Sequence, residues 1–201
     1  MAMAQTLKQE IVENILQTAM RLFAVKGVRV TSMADLAKEV GISTGNVYRY
    51  FPDKEALFYA VIPSEFVHKT EALLKRKMLA AGTTDHDQTH QMVSAKFLEY
   101  CIANRERIVI LLSQAEGTKY SSIRRNFLNR LLDFVEEYCR QALPGRVLTQ
   151  NETLCLRRVY EACMDHFLAI LRENVDPTVI HEQFSAYSCY HLAGMKAILT
   201  N

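Results

Sequence analysis

Residues 30–58 read VTSMADLAKEVGISTGNVYRYFPDKEALF, and this stretch decides the fold. Ser32-x-x-Asp35 has the spacing of a capping box, in which the hydroxyl accepts from an orphan helical amide and the acid answers at the cap's own N–H. Gly41 suits the left-handed position that ends a helix. Ser43 can cap a third, short helix, which Phe51-Pro52 closes because the residue before a proline avoids helical torsions. Asp53 then caps a fourth helix, with Asp53 and Glu55 placed near its positive end. The small Ala37 lets two helices approach closely, Leu36 and Val40 complete the inner face, and Val47 fills the angle between them. Two short helices joined by a tight glycine turn have the residue logic of a helix-turn-helix, whose second helix enters the DNA major groove.

That reading explains the composition of the third helix. Ser43, Thr44, Gly45 and Asn46 are short and leave the backbone close to whatever docks there. Tyr48 and Tyr50 carry hydroxyls that can bond phosphates, and Lys54 stands at a helix start where phosphate is welcome. Thr44 and Arg49 are the expected sources of base preference, while Asn46 either contacts a base or caps its helix. With Val47 and Phe51 supplying apolar cover, Tyr48 is expected to be at least partly exposed.

Outward from this segment the chain reads as helix throughout. Upstream, Ile11, Ile15, Ala19, Leu22 and Phe23 recur at helical spacing in a first helix ending near Gly27. Downstream, Pro63 falls inside the fourth helical stretch and should bend or restart it. Asp85-x-x-Gln88 caps a helix running to about Ala103, and the apolar run IVILLSQA follows. Two amphipathic helices are expected at roughly 119–142 and 151–173, divided by LPGRVLTQN. A last helix starts after Asp176-Pro177, with the stripe Ile180, Phe184, Tyr187, His191, Met195, Ile198. No alternating β-branched run stands out, so the fold class is all-α.

Composition limits the chemistry. The 201 residues are 49% hydrophobic and carry a net charge of only +2, and residues 1–60 hold seven basic against six acidic side chains. Nucleic-acid contact must therefore be local rather than spread over the surface. No apolar run approaches the roughly 18 residues of a membrane span, and the N-terminus lacks a signal peptide's apolar stretch. Five cysteines, an odd number with no C-x-x-C, favour buried thiols in a reducing cytoplasm over disulfides or a zinc site. No G-x-S-x-G, H-E-x-x-H or Walker-type loop is present, and GISTG lacks the flanking strand of a phosphate cradle. Neither catalytic residues, a cofactor nor a resident metal is expected.

The segment VTSMADLAKEVGISTGNVYRYFPDKEALF resembles the DNA-binding domain of the tetracycline-repressor (TetR) family, down to its small-polar recognition helix, its Tyr-x-Tyr-Phe close and its Lys-Glu-x-Leu continuation. The specific match covers about residues 11–60. The resemblance implies a homodimeric transcriptional regulator, normally a repressor, of about nine helices. It implies a helix-turn-helix head over 1–60 that binds a palindromic operator, and a helical ligand-binding and dimerisation domain over 61–201. The expected DNA-binding residues are Ser43, Thr44, Gly45, Asn46, Tyr48, Arg49, Tyr50 and Lys54. Dimerisation is expected through the helices near 151–173 and 178–199, by stripes including Leu156, Val159, Cys163, Phe167 and Ile170 on one and Phe184, Tyr187, His191 and Met195 on the other. A small, largely apolar effector is expected between residues 54 and 142; His68, Tyr100, Gln114, Asn126 and Arg130 are polar side chains there that face either ligand or solvent.

Two other classes compete. Glu65-x-x-His68 has the one-face spacing of a ferritin-like metal site, but its nearest counterpart is Asp87-x-x-His90, and His86 with His90 offers only a two-ligand clasp. A helical interaction module without DNA binding suits the near-neutral head but leaves the third helix's composition unexplained.

Overall fold

The three helix starts between residues 30 and 60 are each fixed by a local side chain, Ser32, Ser43 and Asp53. The computed structural model describes residues 2–81, 88–142, 145–173 and 175–200, with side chains over 7–79, 92–141, 145–173, 175–191 and at 193, 194 and 197. The described residues form ten α-helices and one π-helical segment, and no strand. These are α1 (Ala2–Lys26), α2 (Met33–Val40), α3 (Thr44–Tyr50), α4 (Lys54–Val61), α5 (Ser64–Ala81), α6 (Gln88–Ala103), α7 (Arg105–Val109), α8 (Ile123–Ala142), α9 (Gln150–Arg172) and α10 (Pro177–Thr200). The π segment, Ile110–Gln114, continues α7 directly.

Two departures from the expected helix pattern have local causes. At Pro63 the expected fourth helix becomes α4 and α5, giving one helix more than about nine. Proline lacks the N–H that would continue the ladder, while its carbonyl restarts it by accepting from Phe66 (3.1 Å) and Val67 (3.3 Å). Similarly, α8 begins at Ile123 and not near 119, because Gly117 turns the chain at φ +81° and the Thr118 hydroxyl donates to the Ala115 carbonyl at 2.8 Å. The cap expected at Asp85 lies outside the described residues.

The chain divides into two compact units: Met1–Thr70 with Glu106–Ser122, and Glu71–Arg105 with Ile123–Asn201. The polypeptide passes between them three times, at residues 70/71, 105/106 and 122/123. The first unit thus runs past residue 60 and recruits the π segment. Its core joins Ile15, Ala19 and Phe23 of α1 to Leu36 and Ala37 of α2, Val47 of α3, and Leu57 and Phe58 of α4, all essentially inaccessible. The Ile, Phe, Leu and Val side chains among these each contribute about 1.5–3 kcal/mol when fully buried. Phe23 and Phe58 meet with ring centres 6.3 Å apart.

In the second unit, Leu132, Val135, Cys139 and Leu156 form one cluster between α8 and α9. A second joins Leu98 of α6, Ile170 of α9 and Ile180 of α10, with Ile102, Phe167 and Phe184 packed against it. Several residues of the stripes expected to pair between subunits touch within the chain. Phe167 and Phe184 stack edge to face at 5.6 Å, Tyr160 meets His191 at 5.3 Å, and the Tyr187 hydroxyl donates to Cys163 Sγ at 3.3 Å. The side chains of Met195 and Ile198 lie outside the described residues.

Candidate nucleic-acid interface

The turn between α2 and α3 is built from backbone hydrogen bonds that only a glycine at position 41 satisfies without strain. Gly41 adopts φ +80°, its N–H reaches the Ala37 and Lys38 carbonyls, and the Ile42 N–H also reaches Ala37. This double closure satisfies carbonyls that the helix end leaves open. At the other end of α2, the Ser32 hydroxyl accepts from the Asp35 N–H at 3.0 Å while the Asp35 carboxylate accepts from the Ser32 N–H at 3.0 Å. These bonds to Ser32, with Lys26 and Lys38 nearby, hold the Asp35 pKa below its usual value.

Helix α3 is anchored by one fully buried residue, Val47. The Ser43 hydroxyl caps it by accepting from the Asn46 N–H at 3.2 Å. The Asn46 side chain is therefore not the cap, and it is exposed. Ser43, Gly45 and Arg49 are also exposed, Thr44 and Tyr50 are half-buried, and Tyr48 is 49% exposed. Arg49 rests beside its neighbour, its guanidinium 5.4 Å from the Tyr50 ring centre and 3.5 Å from the Tyr50 hydroxyl. Gly45 is unlike the other head glycines: its φ is not in the left-handed region, and nothing stands within 4 Å of where a Cβ would be. Nothing inside the described chain requires a glycine there.

Lys54 occupies a position that the sequence alone did not reveal. Its ammonium donates to the Arg29 carbonyl at 3.1 Å and the Thr31 carbonyl at 3.0 Å, pinning the α1–α2 turn to the start of α4. Two of its three N–H groups are thus engaged, leaving one for a phosphate.

A second group supports the head from the segment after α6. The Val28 N–H donates to the Gln114 carbonyl at 3.3 Å, and the Gln114 amide fills the space beside Gly27, where a Cβ would come within 2.7 Å of its Oε1. The Tyr59 hydroxyl donates to Glu55 at 2.9 Å and accepts from the Lys119 N–H at 3.3 Å, while the Lys119 ammonium lies 4.1 Å from the Tyr59 ring centre. Such contacts link residues 60 positions apart in sequence, so no local pattern announces them.

The polar residues considered for an effector are dispersed. His68 and Gln114 belong to the first unit and Tyr100, Asn126 and Arg130 to the second; His68 and Asn126 are exposed, and Arg130 pairs with Glu71 at 3.1 Å. A shallow, open depression on α1 is lined by Gln9, Glu10, Glu13, Asn14 and Gln17. Glu65 and His68 are exposed, and among the described residues no three His, Cys, Asp or Glu side chains come together as a metal site. His86 and Asp87, and the side chain of His90, lie outside the described residues. No described helix is long and apolar enough to cross a membrane.

Comparison with known proteins places this geometry. The model of the bacterial regulatory proteins of the tetR family matches residues 15–61. The helix-turn-helix transcriptional regulator AcrR of Shigella flexneri is 26% identical over 181 residues, 83% of each chain. The nucleoid occlusion factor SlmA of Vibrio campbellii is 30% identical over 153 residues, 75% of this chain and 76% of that protein. The uncharacterized helix-turn-helix transcriptional regulator YuxN of Bacillus subtilis is 50% identical across 48 residues, 24% of this chain and 16% of that one. With a head matched by the family model and a full-length relative alike over three-quarters of both chains, the chain belongs to the TetR family of bacterial transcriptional regulators.

Proposed function

We propose that this regulator is a cytoplasmic homodimeric repressor that reads a palindromic operator with α3 and is released by a small, largely apolar effector. The observation that carries the DNA reading is Gly45. It sits among exposed polar residues on the one helix face that the core leaves free, where no intramolecular need explains it. Close approach of an external surface does explain it. Within that surface Thr44, Asn46 and Arg49 address base edges, while Ser43, Tyr48, Tyr50 and the remaining Lys54 donor address phosphates.

The division of labour follows the chain: residues 1–60 bind DNA, and 61–201 bind effector and partner subunit. Because Phe184, Tyr187 and His191 are engaged within the chain, the dimer is proposed to use the outer face of α9 and α10. That face exposes Ala162 and Ala169 on α9 and Ala186, Cys189, Tyr190, Ala193, Gly194 and Ala197 on α10. Small uncharged residues permit close helix approach, and Tyr190, 76% exposed, supplies an apolar anchor. Two heads about 34–36 Å apart then meet successive major-groove faces. The three passages of the chain between the units, together with the restart at Pro63, give an effector a covalent route to the head. A coupling of about 1–3 kcal/mol is typical, and operator must weaken effector by the same factor.

The test is recovery of bound fragments from digested genomic DNA. A small set sharing an inverted repeat is expected; uniform recovery of all fragments, or of none, contradicts the proposal.

A further inference from the structure

Lys77 lies on α5 in the second unit and is half-buried. Its ammonium stands 5.2 Å from the Phe97 ring centre on α6 and 5.0 Å from that of Phe184 on α10. Among the described residues it forms no ion pair and no hydrogen bond; the two rings are its partners. Burial pushes its pKa down, against a smaller opposing influence of Cys101. Removing an ammonium from water without a counter-ion is unfavourable, and ring faces offset only part of that cost.

The described titratable groups beside Lys77 do not supply the missing charge. Burial pushes the Cys101 thiol up to about 12, so it stays neutral. His191 is held below its usual pKa by burial and by Lys77 itself, and is no anion in either form. Around the cation stand two half-buried rings, Phe97 and Phe184, and Phe184 is itself held by Phe167 and the buried cluster of Leu98, Ile170 and Ile180. A cation without a counter-ion among the described residues, set beside two aromatic rings, is complementary to one negative charge on an apolar body.

We infer that Lys77 is the anion-recognising residue of an effector site in the second unit, and that the effector is an amphipathic organic carboxylate. Its acid group pairs with the Lys77 ammonium, and its hydrocarbon or aromatic body packs against Phe97 and Phe184. This rests on the proposal that the second unit binds an effector and narrows it to a charge class.

The full-length protein is titrated by calorimetry with decanoate and with 1-decanol, as wild type, Lys77→Met and Lys77→Arg. Decanoate is expected to bind the wild type about tenfold or more tightly than the alcohol. Lys77→Met should abolish that preference with decanol affinity unchanged, and Lys77→Arg should keep it. In the wild type, acetylation of Lys77, followed by peptide mass spectrometry, should slow about tenfold with decanoate and not with decanol; that readout needs no variant to fold. If both ligands bind the wild type equally, or Lys77→Met retains the preference, the carboxylate inference falls while effector binding stands. If neither ligand binds, both fall.

Discussion

Gly45 shows how a single residue separates what the fold needs from what an external surface needs. In the first turn of a short helix it costs about 0.5–1 kcal/mol relative to alanine. Its φ lies outside the left-handed region and the space around it is open, so Gly45→Ala should raise stability by up to that amount in urea unfolding. Gly41 differs: φ +80° makes it a requirement of the turn. Lys54 illustrates the opposite lesson. A lysine at a helix start reads from sequence as a phosphate contact, yet it is bonded to carbonyls 25 and 23 residues earlier. Lys54→Met should therefore destabilise the head by about 1.5–3 kcal/mol, the range for hydrogen bonds to charged groups. It should also weaken specific and non-specific DNA alike. An unchanged unfolding midpoint would show that the two carbonyl bonds contribute nothing. The capping residues Ser32, Ser43 and Asp53 were legible because their partners lie three residues away. The partners of Lys54 were not, because the turn that carries them is placed by packing.

At the scale of elements, what could be read was whatever a local residue dictates. Pro63 divides a helix and Pro177 opens one, both at the positions their chemistry requires. The π segment carried no such mark, and its docking through Gln114 beside Gly27 depends on chain 87 residues distant (114 − 27). Nor could periodicity say which surface covers a stripe: Phe167 and Phe184 fit a subunit interface as well as they fit each other. One cap gives a pH signature. The Thr149 N–H, the Arg146 guanidinium and the Thr149 hydroxyl hold Glu152 down from 4.5 to about 2. A carboxylate whose folded pKa is depressed contributes stability above its unfolded value and loses it as pH falls through the folded one. Thermal melts should show wild-type stability falling between about pH 4.5 and 2 more steeply than that of Glu152→Gln. Equal slopes would mean that the cap is formed equally in the unfolded chain.

For the whole molecule, the proposed dimer and the DNA contact stand or fall together, because a palindrome is read by two heads. Ala193 is exposed on α10. Ala193→Glu should leave the monomer folded, turn a dimer into a monomer by light scattering at micromolar concentration, and cut operator affinity by an order of magnitude or more, about 1.4 kcal/mol per factor of ten. A wild-type monomer at that concentration would remove the dimer proposal.

The most direct test of α3 as the DNA-reading helix is an anisotropy titration of one recovered operator duplex with the wild type and with Gly45→Ala. The variant adds one methyl group to the exposed face of α3 and disturbs no neighbour within 4 Å. The expected result is a protein at least as stable as the wild type that binds the duplex tenfold or more weakly, roughly 1.4 kcal/mol or greater. Equal affinity for the two proteins would contradict the claim that this face of α3 meets DNA.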